Sequence, residues 1–315
     1  MPSLLDPPAR PELNSASAAE RLRMTAAAVR VMFTWLGIRR TLSPEQKSQA
    51  ADAFGAERTY FSAGKKLLDT SHPAFKAVTG VRTQIQAYWR SVSLPFPEPG
   101  IRLIRQEAVE GFTAQLTALR RELFDAVLQL EQHYDELKAA ARRRLGSLYH
   151  PADYPATLRG WFDVNWDFPS VEPPDYLRRL APQLYAAEAA RVSARFDEAV
   201  QLAEQAFTEE LAKLVSHLTE RLSGAEDGKP KIFRDSAVEN LREFFDRFRS
   251  LNIRSSEQLD ALVSDARRIV SGVEPQALRD SAGLRQEIAT RLSTVQASLD
   301  GLLVERPRRN LLRRK

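Results

Sequence analysis

Eleven apolar side chains, Phe112, Leu116, Leu119, Leu123, Val127, Leu130, Tyr134, Leu137, Ala141, Leu145 and Leu148, recur at steps of three and four residues. Ten steps cover 36 positions, a mean of 3.6, which is the pitch of an α-helix; a strict coiled-coil heptad would average 3.5. No proline falls between Pro99 and Pro151. The spacing therefore predicts one nearly straight helix of roughly 45 residues. A second stripe follows: Val192, Phe196, Ala199, Ala203, Phe207, Leu211, Leu214, Leu218 and Leu222, between Pro182 and the breakers Gly224, Asp227 and Gly228. Such stripes are marginal as isolated helices and draw most of their stability from burial. The expectation is an all-α protein in which the two pack as a long, coiled-coil-like antiparallel hairpin.

Shorter helices flank this pair. Ser17 with Glu20, and Ser43 with Gln46 behind Pro44, are capping boxes. Leu22, Ala26, Val29, Phe33 and Leu36 continue the first as an apolar helical stripe. A helix opens at Pro44 and runs to about Phe54, another continues to about Leu68, and a third runs from Pro73 to about Trp89. The prolines between Leu94 and Gly100 force an extended connector. Beyond the hairpin, Asp235 or Ser236 caps a helix, Ser255 and Ser256 open the next, and Leu284 to Leu302 form the last. The predicted organisation is a flexible arm (1–14), N-terminal short helices (15–100), the hairpin (101–224) with its tip at 147–181, C-terminal helices (230–304) packed with the N-terminal ones at the hairpin base, and a basic tail (305–315).

Charge is concentrated rather than spread. The chain carries a formal +5, yet residues 306–315 hold six basic and no acidic side chains, leaving a body with 40 basic against 41 acidic. A uniformly basic nucleic-acid face is not indicated for that body. Cysteine is absent, which removes disulfides, zinc–thiolate sites and thiol nucleophiles and is compatible with a cytoplasmic setting. The most apolar stretch, Ala26 to Ile38, contains Arg30 and is short of the ~20 residues a membrane span needs. No membrane association is expected.

Three places invite a functional reading. Seven aromatics lie between Tyr149 and Tyr176, in 28 residues of a chain with 26 aromatics in all; Tyr154, Trp161, Phe162, Trp166, Phe168 and Tyr176 are the candidates for binding a protein partner or a second copy. The alternative is a small local core closing the hairpin. The cluster Arg142, Arg143, Arg144 with Arg178 and Arg179 can grip an anion or be a solvated face. The tail, with Arg308, Arg309, Arg313, Arg314 and Lys315, can attract nucleic acid by charge or serve as a solubilising end. His72, His133, His150 and His217 are scattered and form no metal-ligand spacing, so neither metal nor cofactor is expected. Glycine-rich phosphate loops and nucleophile elbows are missing, and no catalytic residues are assigned.

Tyr88-Trp89-Arg90, the run from Leu94 to Leu103, Leu145-Gly-Ser-Leu-Tyr149, Tyr154-Pro155 and Val164-Asn-Trp-Asp-Phe168 resemble a bacterial domain family of unknown function, number thirty-one fifty, carried on phages and plasmids. The resemblance covers roughly residues 55 to 225. It implies a mobile-element or host-defence setting, beside a ring-forming ATPase, and no catalytic residues. Two functions follow as expectations: a non-enzymatic adaptor presenting the hairpin tip to a protein partner, or a nucleic-acid-associated protein using the tail and the arginine clusters.

Overall fold

The computed structural model describes residues 16–223 and 235–305. Helix dominates, but the chain is not purely α. In order it forms α1 (Ala18–Thr25), β1 (Ala26–Trp35), β2 (Arg39–Thr41), α2 (Pro44–Ala53), β3 (Gly64–Lys66), α3 (Pro73–Ser91), β4 (Leu94–Pro95), β5 (Ile101–Arg105), α4 (Val109–Gln132), α5 (Tyr134–Leu145), β6 (Phe162–Asp167), α6 (Tyr176–Leu180), α7 (Pro182–Ser223), α8 (Ser236–Leu251), α9 (Glu257–Val270), α10 (Pro275–Asp280) and α11 (Ala282–Glu305). The arm 1–14 and residues 306–315 of the basic tail lie outside the described residues.

Both expected capping boxes are present. Ser17 Oγ accepts from the Glu20 amide at 3.1 Å while Glu20 accepts from the Ser17 amide at 2.8 Å, and Ser43 and Gln46 do the same at 3.2 Å each. The carboxylate of Asp235 does not cap α8; it takes the Arg279 guanidinium instead.

Two stretches expected as helix are otherwise. α1 ends after two turns, and residues 26–35 are a strand. Here β-branched and aromatic side chains (Val29, Val31, Phe33, Trp35) alternate, so a period of two fits as well as the helical one and places them on one face. Antiparallel pairing with β6 decides the matter, with Trp35 opposite Phe162, Phe33 opposite Val164 and Val31 opposite Trp166. The second stretch follows α2. Gly55 adopts φ +62°, the chain turns, and β3 returns antiparallel to β2 rather than continuing as helix to Leu68. A Cβ on Gly64 would sit 3.0 Å from the Arg40 carbonyl oxygen, so glycine permits this close approach.

The chain folds into two compact units drawn from separated stretches, and the consecutive blocks expected from sequence cut across both. One unit comprises Val29–Ser91 and Glu107–Phe168. Its core is the 112–141 part of the stripe: Phe112, Leu116, Leu119, Leu123, Val127 and Leu130 on α4 and Tyr134, Leu137 and Ala141 on α5 are buried, while Leu145 and Leu148 are half-buried. α3 (Phe75, Val78, Ile85) and β6 (Phe162, Val164) cover it. Each buried Leu, Val, Ile or Phe among them contributes about 1.5–3 kcal/mol. The stripe stays in phase but the helix is interrupted at His133, where φ is −98° and ψ 2°.

The other unit comprises the described parts of Met1–Ala28, Val92–Gln106 and Pro169–Lys315. α7 runs unbroken for 42 residues. It buries Val192, Phe196, Ala199, Ala203, Phe207, Leu211, Val215, Leu218 and Leu222 against α11, α8, α9, α1 and β4. Phe207 meets Phe248 and Phe244 edge-on, centroids 5.0 and 6.2 Å apart. β4 pairs with β5 beside it. Helices from both ends of this chain thus gather on α7. Each of the two long apolar stripes is covered by other elements of its own unit.

Candidate functional site

The predicted tip, 147–181, holds β6 with its preceding turns in one unit and α6 in the other. Phe162 is buried, and Trp35 meets its ring edge-on at 4.9 Å. Tyr154 is buried, stacks on Tyr149 at 5.0 Å and donates its hydroxyl proton to the Leu67 carbonyl at 3.0 Å. Burial pushes that hydroxyl's pKa up to about 12, and does the same to Tyr134, which donates to the Pro155 carbonyl at 3.0 Å. Trp166 shares the Phe162 face and is half-buried. Of the six candidate aromatics, Trp161 (42% exposed) and Phe168 (41%, edge-on to Phe112 at 6.4 Å) present substantial surface in this unit. Tyr176 is exposed but belongs to the other unit. The local-core alternative describes Phe162 and Tyr154.

The arginine clusters divide likewise. Arg142, Arg143 and Arg144 are exposed on α5, and Arg144 pairs with Asp69 at 2.7 Å. That pairing, helped by Ser71, holds the Asp69 carboxyl far below its ordinary range. Arg178 and Arg179 lie in the other unit, where Arg178 spans the Tyr185 ring at 5.0 Å and donates to its hydroxyl at 2.8 Å. The basic tail residues Arg308, Arg309, Arg313, Arg314 and Lys315 lie outside the described residues.

A basic surface not foreseen stands on β2 and β3. Antiparallel register puts Arg39 opposite Lys66 and Arg40 opposite Lys65, so like charges face each other across the ribbon. Such pairs oppose strand association. Lys65 escapes the conflict by turning inward: its ammonium lies 2.6 Å from Asp153 and donates to the Leu148 carbonyl at 2.7 Å. Arg39, Arg40 and Lys66 remain exposed, and no carboxylate among the described residues pairs with them. Residues 39–66 carry six basic against three acidic side chains. The turn leading into β3 holds aromatics out in solvent: Phe54 is 79% and Tyr60 88% exposed, and Phe61 stacks on Phe54 at 6.3 Å. Exposed cations beside exposed aromatic faces are the equipment for holding phosphates and stacking bases.

In the unit built on α7, a cleft of about 540 Å³ is rimmed by Arg21, Arg105, Arg249, Arg254 and Arg267 over an apolar floor. Arg105 donates to the Ser250 and Asn252 carbonyls, and Arg21 to those of Ile253 and Arg254, so two of the five close off the chain beyond α8. In the other unit, His72 and His133 lie with ring centroids 5.0 Å apart, and Glu136 completes a group whose ligand atoms are all within 4.8 Å of one another. Sequence spacing gave no sign of this group, because the two histidines are about sixty residues apart and meet only through tertiary packing.

No family model matches the chain, and no curated protein and no solved structure matches it either. Among the described residues, no helix is long and apolar enough to cross a membrane.

Proposed function

We propose that this chain is a non-enzymatic, nucleic-acid-associated protein whose β2–β3 ribbon holds the phosphates of a single strand while the adjoining aromatic turn stacks its bases. What carries the reading is the facing of Arg39 and Lys66, an arrangement that is unfavourable alone and relieved by an anion laid along the ribbon. Phe54 and Tyr60, left in water at a cost, supply sequence-tolerant stacking. The basic tail adds phosphate contacts of the same kind. A phage- or plasmid-borne setting, as the family resemblance implies, and a cytoplasmic location belong to the same proposal.

The test is fluorescence anisotropy of a labelled oligothymidine against salt. Replacing Arg39, Arg40 and Lys66 together by alanine should weaken binding and reduce the slope of log affinity against log salt by about two, at ~0.7 per phosphate contact. Binding that is salt-independent, or unchanged in the triple variant, sinks the proposal. Deleting residues 306–315 separately measures the tail.

A second reading, an adaptor for a protein partner or a second copy, is favoured by Trp161, Phe168 and Met32, each about two-fifths exposed on or beside the β1–β6 ladder. Partner capture lost on replacing Trp161 and Phe168 by alanine, with oligonucleotide binding intact, would favour it.

A further inference from the structure

The geometry points to a divalent transition-metal site formed by His72, His133 and Glu136. His72 immediately precedes Pro73, the first residue of α3; His133 is the junction between α4 and α5; Glu136 lies on the first turn of α5, three residues on. His72 Nδ1 accepts from the Ala74 amide at 3.3 Å, a long bond that Nε2 ligation would break, because a ligating imidazole carries its proton on the other ring nitrogen. His133 Nδ1 lies 3.6 Å from Glu136 Oε2. Metal–ligand bonds of about 2.0–2.2 Å in a tetrahedral site put neighbouring ligand atoms roughly 3.4 Å apart. Contraction from 4.8 Å is within reach of rotation about the χ angles of these exposed and half-exposed side chains.

The helix break is an independent observation at the same place. The apolar stripe runs in phase from Phe112 through Ala141, so burial asks for no interruption. Breaks in long helices ordinarily have a proline, a glycine or an inserted group behind them. None of these residue types stands at 133; instead the His133 amide donates to the Leu130 carbonyl at 3.1 Å, an i to i−3 bond that tightens the turn. The tightening occurs at the residue that meets His72.

Two imidazoles and one carboxylate, without thiolate, suit Zn²⁺, Co²⁺ or Ni²⁺ and do not suit Mg²⁺ or Ca²⁺, which ask for all-oxygen shells. Three protein ligands leave a fourth position for water. Bound there, the ion would tie the start of α3 to the α4–α5 junction and so stabilise this unit.

The test uses untagged full-length protein stripped with chelator, titrated calorimetrically with Zn²⁺ and followed by thermal melting. One equivalent should bind, and saturation should raise the midpoint by at least about 3 °C. His72→Ala and His133→Ala should each weaken binding by at least about tenfold, while His150→Ala and His217→Ala retain parental affinity. Circular dichroism of the metal-free variants checks folding; if His133→Ala folds poorly, His72→Ala carries the test. No saturable uptake below about 100 μM, uptake that survives His72→Ala, or displacement by millimolar Mg²⁺ overturns the assignment.

Discussion

Arg39 stands directly across the β2–β3 ladder from Lys66, cation facing cation on a ribbon only three residues long. Opposed like charges cost a few tenths of a kcal/mol, and opposed unlike charges return a similar amount. Lys66→Glu should therefore raise the stability of the isolated protein by about 0.5 kcal/mol at low salt, read as a higher urea midpoint, while reducing oligonucleotide retention. The gain should fade in 1 M salt, where screening is close to complete. A gain indifferent to salt would mean that charge is not its cause.

Lys65 and Asp153 form the most enclosed ion pair in the same unit, their side chains 8% and 21% exposed. Removing one partner leaves the other poorly solvated. Lys65→Met or Asp153→Asn alone should cost about 2–3 kcal/mol, and the double substitution less than the sum. A double-mutant cycle by urea denaturation measures the coupling; strict additivity would show that the two charges do not support each other.

Phe162 and Trp161 are adjacent in sequence and opposite in environment. Phe162→Ala should lower stability by about 3–4 kcal/mol by opening a cavity among Trp35, Phe75 and Val164. Trp161→Ala should cost about 1 kcal/mol or less. Equal losses would place Trp161 in the core after all.

Acid should unfold the unit that holds Asp69, Asp163 and Asp167. Burial alone raises the Asp163 carboxyl, but the Arg120 guanidinium at 2.7 Å and the Val164 amide outweigh it and leave the value below 3.8. Arg30 lowers Asp167, and Arg144 with Ser71 lowers Asp69. Folded values beneath the unfolded ones mean that this stabilisation is complete above the ordinary aspartate pKa and is lost as pH falls through it towards the folded values. Melting temperature should drop between about pH 5 and pH 2, and Asp163→Asn should flatten the drop. An unchanged pH profile in that variant would remove Asp163 from the account.

Much of the helical framework was readable because local chemistry specifies it. Ser17 and Ser43 mark helix starts through hydrogen bonds made within four residues, and Pro182 with the uninterrupted stripe to Leu222 delimits α7. What an apolar stripe cannot state is which surface will cover it. Leu116 needs an apolar neighbour, and α3 and β6 serve as well as a return helix would. Ala26 to Trp35 satisfied both periodicities, so its state rested on a partner strand more than a hundred residues away. The ribbon strands are too short for any pattern, and Arg39 has no local reason to face Lys66. His72 and His133 are brought together by the docking of α3 on α4, which no spacing rule encodes.

The interleaved make-up of the two units also dictates an order of assembly. The chain passes between them four times, and every residue of the unit containing Val29–Ser91 and Glu107–Phe168 has been synthesised before α7 begins. That unit can close early. α1 and the β4–β5 hairpin, in contrast, must wait with Leu22, Leu94 and Leu103 uncovered until α7 and the helices after it are made. Their contacts span up to 233 residues, the kind of separation that slows folding and exposes apolar surface meanwhile. A chain cut short before α7 should therefore keep one folded unit and aggregate through the uncovered remnants of the other.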